Sequence, residues 1–316
     1  MTGEAPRRPL GRTGLRVHPL CLGTNVFGWT IDEPASFAVL DAYLDGGGNF
    51  LDTADYYSAW VPGHRGGEAE TVLGHWLASR RVRDRVVIAT KVGKGGPGQP
   101  PGLAPGLVRA GLLASLRRLG TDHVDLLYAH QDDPSVPLDD TLGAMADLVR
   151  EGKVGALGAA NYPARRLAEA LARGGSYQVY QPLYNLLDRD EYEGGCAPLC
   201  HRHGVAVVPY AALARGFLTG KYRAGRPPPT TPRARQAGGY LTARGTAVLH
   251  ALDEVAGTLG DGIGVAQVAL AWLLARPGVT APIASATSPT QLAELMRGCA
   301  VRLTGEQVRR LAAAGG

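Results

Sequence analysis

Short apolar runs alternate along the chain with longer stretches whose apolar residues recur every three or four positions. That alternation predicts strands each followed by a helix. The apolar runs fall at 19–22, 49–52, 86–90, 124–128, 154–158, 179–181, 205–208 and 281–284, eight in all. Amphipathic stretches occupy 34–44, 68–79, 104–119, 138–150, 164–172 and 192–203, then 244–259 and 265–276 after the seventh run, and 289–296 at the end. Eight such units without a compositional break suited to a linker predict an α/β fold, a (β/α)8 barrel, as one domain over residues 1–316. A doubly wound dinucleotide fold needs a glycine fingerprint after its first strand, and Leu22-Gly23-Thr24-Asn25-Val26-Phe27-Gly28 does not supply one. Ahead of the barrel, residues 10–17 alternate around a glycine-containing turn, as a hairpin would.

Two connections exceed ordinary length: 92–101, rich in glycine and proline, and 221–240, which carries Pro227-Pro228-Pro229 and several arginines. Both follow strands, so both lie on the face where a barrel places its chemistry and are expected to cover it as lids. Residues 58–67 make a long loop after the second strand and a further pocket wall.

Composition narrows the picture. The chain is 45% hydrophobic and 19% charged, which suits a globular protein with a substantial core. Its net charge of +5 comes from scattered arginines such as Arg80, Arg81, Arg83 and Arg85, and aromatics make up only 6%, so nucleic acid is not expected as a partner. An anionic cofactor is an equally good reason for a basic bias. Four cysteines do not make a disulfide framework, and Cys196, Cys200, His201 and His203 lack the spacing of a zinc site, so no metal is expected. The first nine residues have no apolar leader core and no run approaches membrane-spanning length, which points to a reduced, cytoplasmic protein without a membrane partner.

Candidate chemistry gathers at three consecutive strand ends. Asn49-Phe50-Leu51-Asp52 ends a strand in an acid, and Tyr57 follows five residues later. Ile88-Ala89-Thr90-Lys91 puts a lysine after the third strand, and Leu126-Leu127-Tyr128-Ala129-His130 a histidine after the fourth. Acid, phenol, ammonium and imidazole thus meet at one barrel mouth. Trp29, Tyr56, Trp60, Tyr162 and Tyr184 lie near strand ends and are expected to make a flat, apolar substrate pocket.

With these motifs in place, the chain resembles the aldo-keto reductases from end to end, as a bacterial member of the potassium-channel β-subunit-like and general reductase branch. The resemblance rests on Leu10-Gly-Arg-Thr-Gly-Leu, Asn49-Phe-Leu-Asp-Thr-Ala-Asp-Tyr-Tyr, Ala89-Thr-Lys91, Asp125-Leu-Leu-Tyr-Ala-His130, Gly152-Lys-Val-Gly, Ala160-Asn161, Gln181-Pro-Leu-Tyr-Asn185, Pro209-Tyr210 and Leu213-Ala-Arg-Gly-Phe-Leu-Thr-Gly-Lys221, in the family's order and spacing. It implies a catalytic tetrad of Asp52, Tyr57, Lys91 and His130 in an NADPH-dependent oxidoreductase that reduces an aldehyde, ketone or keto-sugar. Tyr57 would donate the proton. A free phenol has a pKa of ~10, so Lys91 is expected to lower it, with Asp52 holding Lys91 and His130 orienting the carbonyl.

The resemblance also implies cofactor contacts. Gly23, Thr24, Asn25 and Asp52 would face the nicotinamide, Asn161 and Gln181 would hold its carboxamide, and Tyr210 would stack on the ring. Leu213, Arg215 and Gly216 would lie over the pyrophosphate, and Ser285, Thr287 and Gln291 at the adenosine end. Three departures stand out: Ala160 replaces a usual serine, Ala211-Ala212 replaces Ser-Pro, and no lysine or arginine stands in Ser285-Ala286-Thr287 for a 2′-phosphate. NADPH is favoured and NADH is the alternative. The substrate is a small carbonyl compound, and the protein a monomer or homo-oligomer. Two other functions compete: a nucleotide-binding regulatory subunit that senses redox state, and a reductase of an imine intermediate in a biosynthetic pathway. A metal-dependent barrel hydrolase is disfavoured because the strand ends offer one histidine where such sites need several ligands.

Overall fold

The structure, a computed structural model, describes residues 5–174, 177–223, 225, 230–260 and 262–316. Strands β1 (Arg8–Pro9) and β2 (Arg16–Val17) pair antiparallel as the expected hairpin. Eight parallel strands follow: β3 (Cys21–Gly23), β4 (Phe50–Asp52), β5 (Val87–Val92), β6 (Val124–Ala129), β7 (Val154–Ala160), β8 (Val179–Gln181), β9 (Ala206–Val207) and β10 (Ile283–Ala284). From β3 to β8 each pairs with the next in the chain, and β10 returns to β3. The remaining gap is bridged by backbone bonds: Val207 N–H donates to Gly278 C=O at 3.0 Å, Thr280 N–H to Val207 C=O at 2.8 Å, and Ile283 N–H to Pro209 C=O at 2.8 Å. These bonds close the ring, as a (β/α)8 barrel requires.

Helices α1 (Glu33–Asp45), α2 (Glu68–Arg80), α3 (Pro105–Leu119), α4 (Leu138–Arg150), α5 (Ala164–Ala172) and α6 (Ala197–His203) alternate with the strands. A single π-type turn, Tyr192–Cys196, leads into α6, where the sequence predicts one continuous helix. After β9 come α7 (Ala234–Gly238), α8 (Ala243–Thr258) and α9 (Val265–Leu274); α10 (Pro289–Gly298) and α11 (Gly305–Ala314) follow β10. The sequence reading lacks α7 and α11. The second carries its own start signal: Thr304 accepts from Gln307 N–H while the Gln307 amide accepts from Thr304 N–H.

Strand alternation separates two cores. Leu22, Leu51, Ile88, Leu127 and Leu157 point outward and pack under the helices. Cys21, Phe50, Val87, Leu126, Val179 and Ile283 fill the barrel, joined by Leu10 and Val17 of the hairpin. The hairpin therefore plugs the N-terminal end, with Gly11 pressed against Ala206 and Gln178, and the opposite end is left for the site. None of the described helices is long and apolar enough to cross a membrane.

Candidate active site

The same alternation decides which polar side chains reach the open end. Phe50, Ala89, Tyr128 and Val179 face the barrel interior, so Asp52, Lys91, His130 and Gln181, two positions further along, face inward at the strands' C-terminal ends. Asp52 and Lys91 are each 1% exposed. Lys91 Nζ donates to Asp52 Oδ2 at 2.7 Å, to Thr53 C=O at 2.8 Å and to the Tyr57 hydroxyl at 2.8 Å, which uses all three of its N–H groups. The Tyr57 hydroxyl in turn donates to Asp52 Oδ2 at 2.9 Å, and Gln181 Nε2 donates to Asp52 Oδ1 at 2.9 Å. Two buried charges are tolerable here because the polar atoms around them are hydrogen-bonded.

Tyr57 comes from the β4–α2 connection. A tight turn, with Tyr57 N–H on Ala54 C=O at 3.2 Å, folds it back over Asp52. Burial and the Asp52 carboxylate push its phenol well above the ordinary value, where the sequence reading expects Lys91 to lower it. The physical reason is that Asp52 already balances the ammonium and also takes the phenol's proton, so the resting phenol is protonated. Burial first, then Lys91 and Lys94, hold the His130 imidazole well below its ordinary value and therefore neutral near pH 7. Its Nδ1 is buried and has no partner among the described residues.

The residues expected to meet a cofactor line the β7–β10 and β3 side of the mouth. Gly23 leaves no room for a side chain, since a Cβ there would lie 2.9 Å from both Ile283 Cγ2 and Ser285 Oγ. Thr24 Oγ1 donates to Asp52 C=O at 3.0 Å. Asn25 Oδ1 accepts from Ser285 Oγ at 2.7 Å and from Arg233 at 2.9 Å. Asn161, with φ of 55°, donates to His130 C=O at 2.9 Å and accepts from the Tyr210 hydroxyl at 2.8 Å. Leu213, Arg215 and Gly216 lie in a turn where Ala211, Ala214, Arg215 and Gly216 take φ of 52, 46, 57 and 99°. Such a left-handed run curls the backbone into a concavity of the kind that cradles anions. Gln291 Oε1 accepts from Thr287 N–H and Oγ1 at 3.1 and 2.9 Å, at the start of α10, where Ser288 is the cap.

Arg233 is the residue the sequence reading missed; its only signal was its place among the arginines of 221–240. The described part of that segment is tied down by Tyr222 on Thr231 at 3.0 Å, Arg233 on Asn25, and Tyr240 on Asp188 at 2.6 Å. Of the expected lid, Ala224, Arg226, Pro227, Pro228 and Pro229 lie outside the described residues.

Aromatic rings form the opposite wall. Trp29 meets Trp60 edge-on at 5.6 Å between centroids, Trp60 meets Tyr56 at 5.7 Å, and Tyr56 meets His130 at 6.2 Å. The structure does not bring Tyr162 or Tyr184 to this wall. Tyr162 is buried edge-on against Tyr177 with its hydroxyl 3.1 Å from Tyr177, and the Tyr184 hydroxyl bonds Glu193 at 2.6 Å. Both are core residues. Behind Lys91, Thr90 points outward and donates to Glu70, which also accepts from Arg118 at 2.7 Å. Asp55 adjoins this buried pair, and burial together with the Glu70 charge raises its carboxyl to about 7.

The chain is similar in sequence to known proteins. The sequence model of the aldo/keto reductase family matches residues 19–315. An uncharacterized oxidoreductase of Bacillus subtilis, YrpG, is 36% identical over 314 residues, spanning 96% of this chain and 93% of that protein. A probable voltage-gated potassium channel subunit beta of Arabidopsis thaliana is 34% identical across 91% of this chain and 89% of its own length. Norsolorinic acid reductase B of Aspergillus parasiticus is 33% identical across 94% of this chain and 80% of its own length.

Proposed function

Because the chain belongs to the aldo/keto reductase family, we propose that it is an NADPH-dependent reductase of aldehydes, ketones or keto-sugars, with Tyr57 as proton donor. The observation that carries this reading is the Lys91 ammonium held between Asp52, Thr53 and the Tyr57 hydroxyl. The hydride for the carbonyl carbon would come from a bound reduced nicotinamide. Tyr57 turns its hydroxyl proton from Asp52 to the carbonyl oxygen, while Lys91 keeps donating to the Tyr57 oxygen and so stabilises the phenolate as it forms. One close opposite charge favours an ionised group by about 1–3 pKa units. Asp52 keeps two donors, Lys91 and Gln181, when the phenol lets go. Neutral His130 orients the carbonyl oxygen and shares its developing charge.

The residues present fit such a dinucleotide. Gly23 allows close approach, the left-handed turn at 211–216 offers a concave backbone, and α10 presents its N-terminus at the adenosine end. Arg233 meets Ser285 at Asn25 and supplies, from the long loop, a cation that Ser285-Ala286-Thr287 lacks. That favours NADPH over NADH. All four cysteines are free and buried, which suits a reduced compartment such as the cytoplasm.

A regulatory reading has one observation in its favour, the relatives named as channel β subunits. Titration with NADPH and NADH, followed by a generic aldehyde, separates the two. Aldehyde-dependent oxidation of bound NADPH supports the reductase. Tight binding with no turnover of any aldehyde, ketone or keto-sugar would favour the regulator.

A further inference from the structure

Among the described residues, Lys94 is a cation without a counterion. It follows β5 in the connection to α3, and its ammonium lies 4.6 Å from the centre of the Tyr56 ring. It makes no ion pair or hydrogen bond with any described residue. Three acids of the flanking loops have other partners. Glu68 accepts from the Arg65 and Gly66 N–H groups, Asp132 pairs with Arg166, and Asp133 accepts from Leu103 N–H and from Ser135. None of these carboxylates forms an ion pair with Lys94 among the described residues.

Its position ties it to the reaction site. Tyr56 stands edge-on to His130 at 6.2 Å, and Lys94 is among the charges that keep His130 neutral. Trp60, whose ring lies 5.7 Å from that of Tyr56, is 42% exposed, one of two large apolar side chains left so open among the described residues. An apolar wall of tilted aromatic rings therefore borders the His130 side of the mouth, with the Lys94 ammonium against one of them.

Resting on the reductase reading above, we infer that the preferred substrate is a flat aromatic or conjugated carbonyl compound bearing an anionic substituent, which Lys94 pairs while its ring lies against Tyr56 and Trp60. A cation held on an aromatic face keeps its donors directed outward, and a partly desolvated charge pair at such a rim changes binding by roughly five- to tenfold. Lys94 is thus a specificity-determining residue, separate from the tetrad that moves the proton.

The test compares meta- and para-carboxybenzaldehyde with their methyl esters, which keep the ring and the aldehyde but lose the charge. In the wild-type protein with NADPH, kcat/KM for at least one acid exceeds that for its ester by roughly five- to tenfold. Lys94→Met brings that acid-to-ester ratio to about one, Lys94→Arg keeps it, and Lys94→Glu inverts it. The same ratio is read without turnover from tryptophan quenching as each compound is added to the NADP⁺ complex. Equal binding of acid and ester in the wild type, or a ratio that Lys94→Met leaves unmoved, overturns the inference. Preferred binding of the acid without its reduction would instead count against the reductase reading alone.

Discussion

At the scale of single residues, the site rests on a charge balance. Removing Lys91 leaves Asp52 buried and unpaired, so Lys91→Met should cost about 3–5 kcal/mol of stability as well as activity. Adding Asp52→Asn should return part of that stability, because the double variant buries no lone charge. Denaturant unfolding of the two singles and the double measures the coupling; strictly additive losses would contradict the ion-pair account. Asp55 makes the opposite kind of prediction. Its carboxyl is raised from 3.8 to about 7, and Oδ1 has no partner among the described residues. The folded protein thus holds the Asp55 proton more tightly than the unfolded chain does. Its contribution to stability is full below pH 3.8 and is lost as pH rises through about 7. Asp55→Asn should therefore gain stability relative to wild type as pH climbs through that window. A pH-independent difference in melting temperature would show that Asp55 does not titrate there.

At the scale of elements, close approach sets the packing. Gly74 lies inside α2, where alanine would favour the helix by up to about 1 kcal/mol. A Cβ at that position would sit 2.2 Å from Arg118 C=O on α3. The clash should win, and Gly74→Ala should destabilise by about 1–3 kcal/mol in urea unfolding; a stabilised variant would mean that α2 and α3 separate easily. The long connection after β9 is held partly by Arg233 on Asn25. Arg233→Ala should speed trypsin cleavage at Arg223 and Arg235, and NADPH should protect wild type more than the variant. Equal cleavage rates would leave Arg233 without a part in ordering the segment.

Much of this was legible in the chain because strand patterning here follows directly from burial. Val154, Val179 and Val205 mark strands that must be apolar on both faces, so their runs stood out. The clustering of Asp52, Lys91 and His130 at the barrel mouth was legible because they fall two residues beyond inward core positions, which is how a barrel brings distant residues together. Helix α11 escaped notice because its capping box, Thr304 to Gln307, precedes a helix that buries little beyond Leu311. Tyr162 shows the limit of position alone. It follows a strand end, yet its ring is buried against Tyr177, a choice made by packing across elements. The direction of the Tyr57 shift was likewise unreadable, since it depends on how Asp52 divides its bonds between Lys91 and the phenol.

At the scale of the whole molecule, the hairpin seals one end of the barrel, the helices cover its sides, and the proposed chemistry is confined to the other end. The central claim is that Tyr57 supplies the proton while other residues hold the nucleotide. It is tested most directly by titrating wild type and Tyr57→Phe with NADPH and then measuring aldehyde-dependent NADPH oxidation by each. The account predicts NADPH binding equal within about threefold, an energy difference well under 1 kcal/mol, and turnover lower in the variant by about a hundredfold or more. A Tyr57→Phe protein that reduces the aldehyde at the wild-type rate would contradict it.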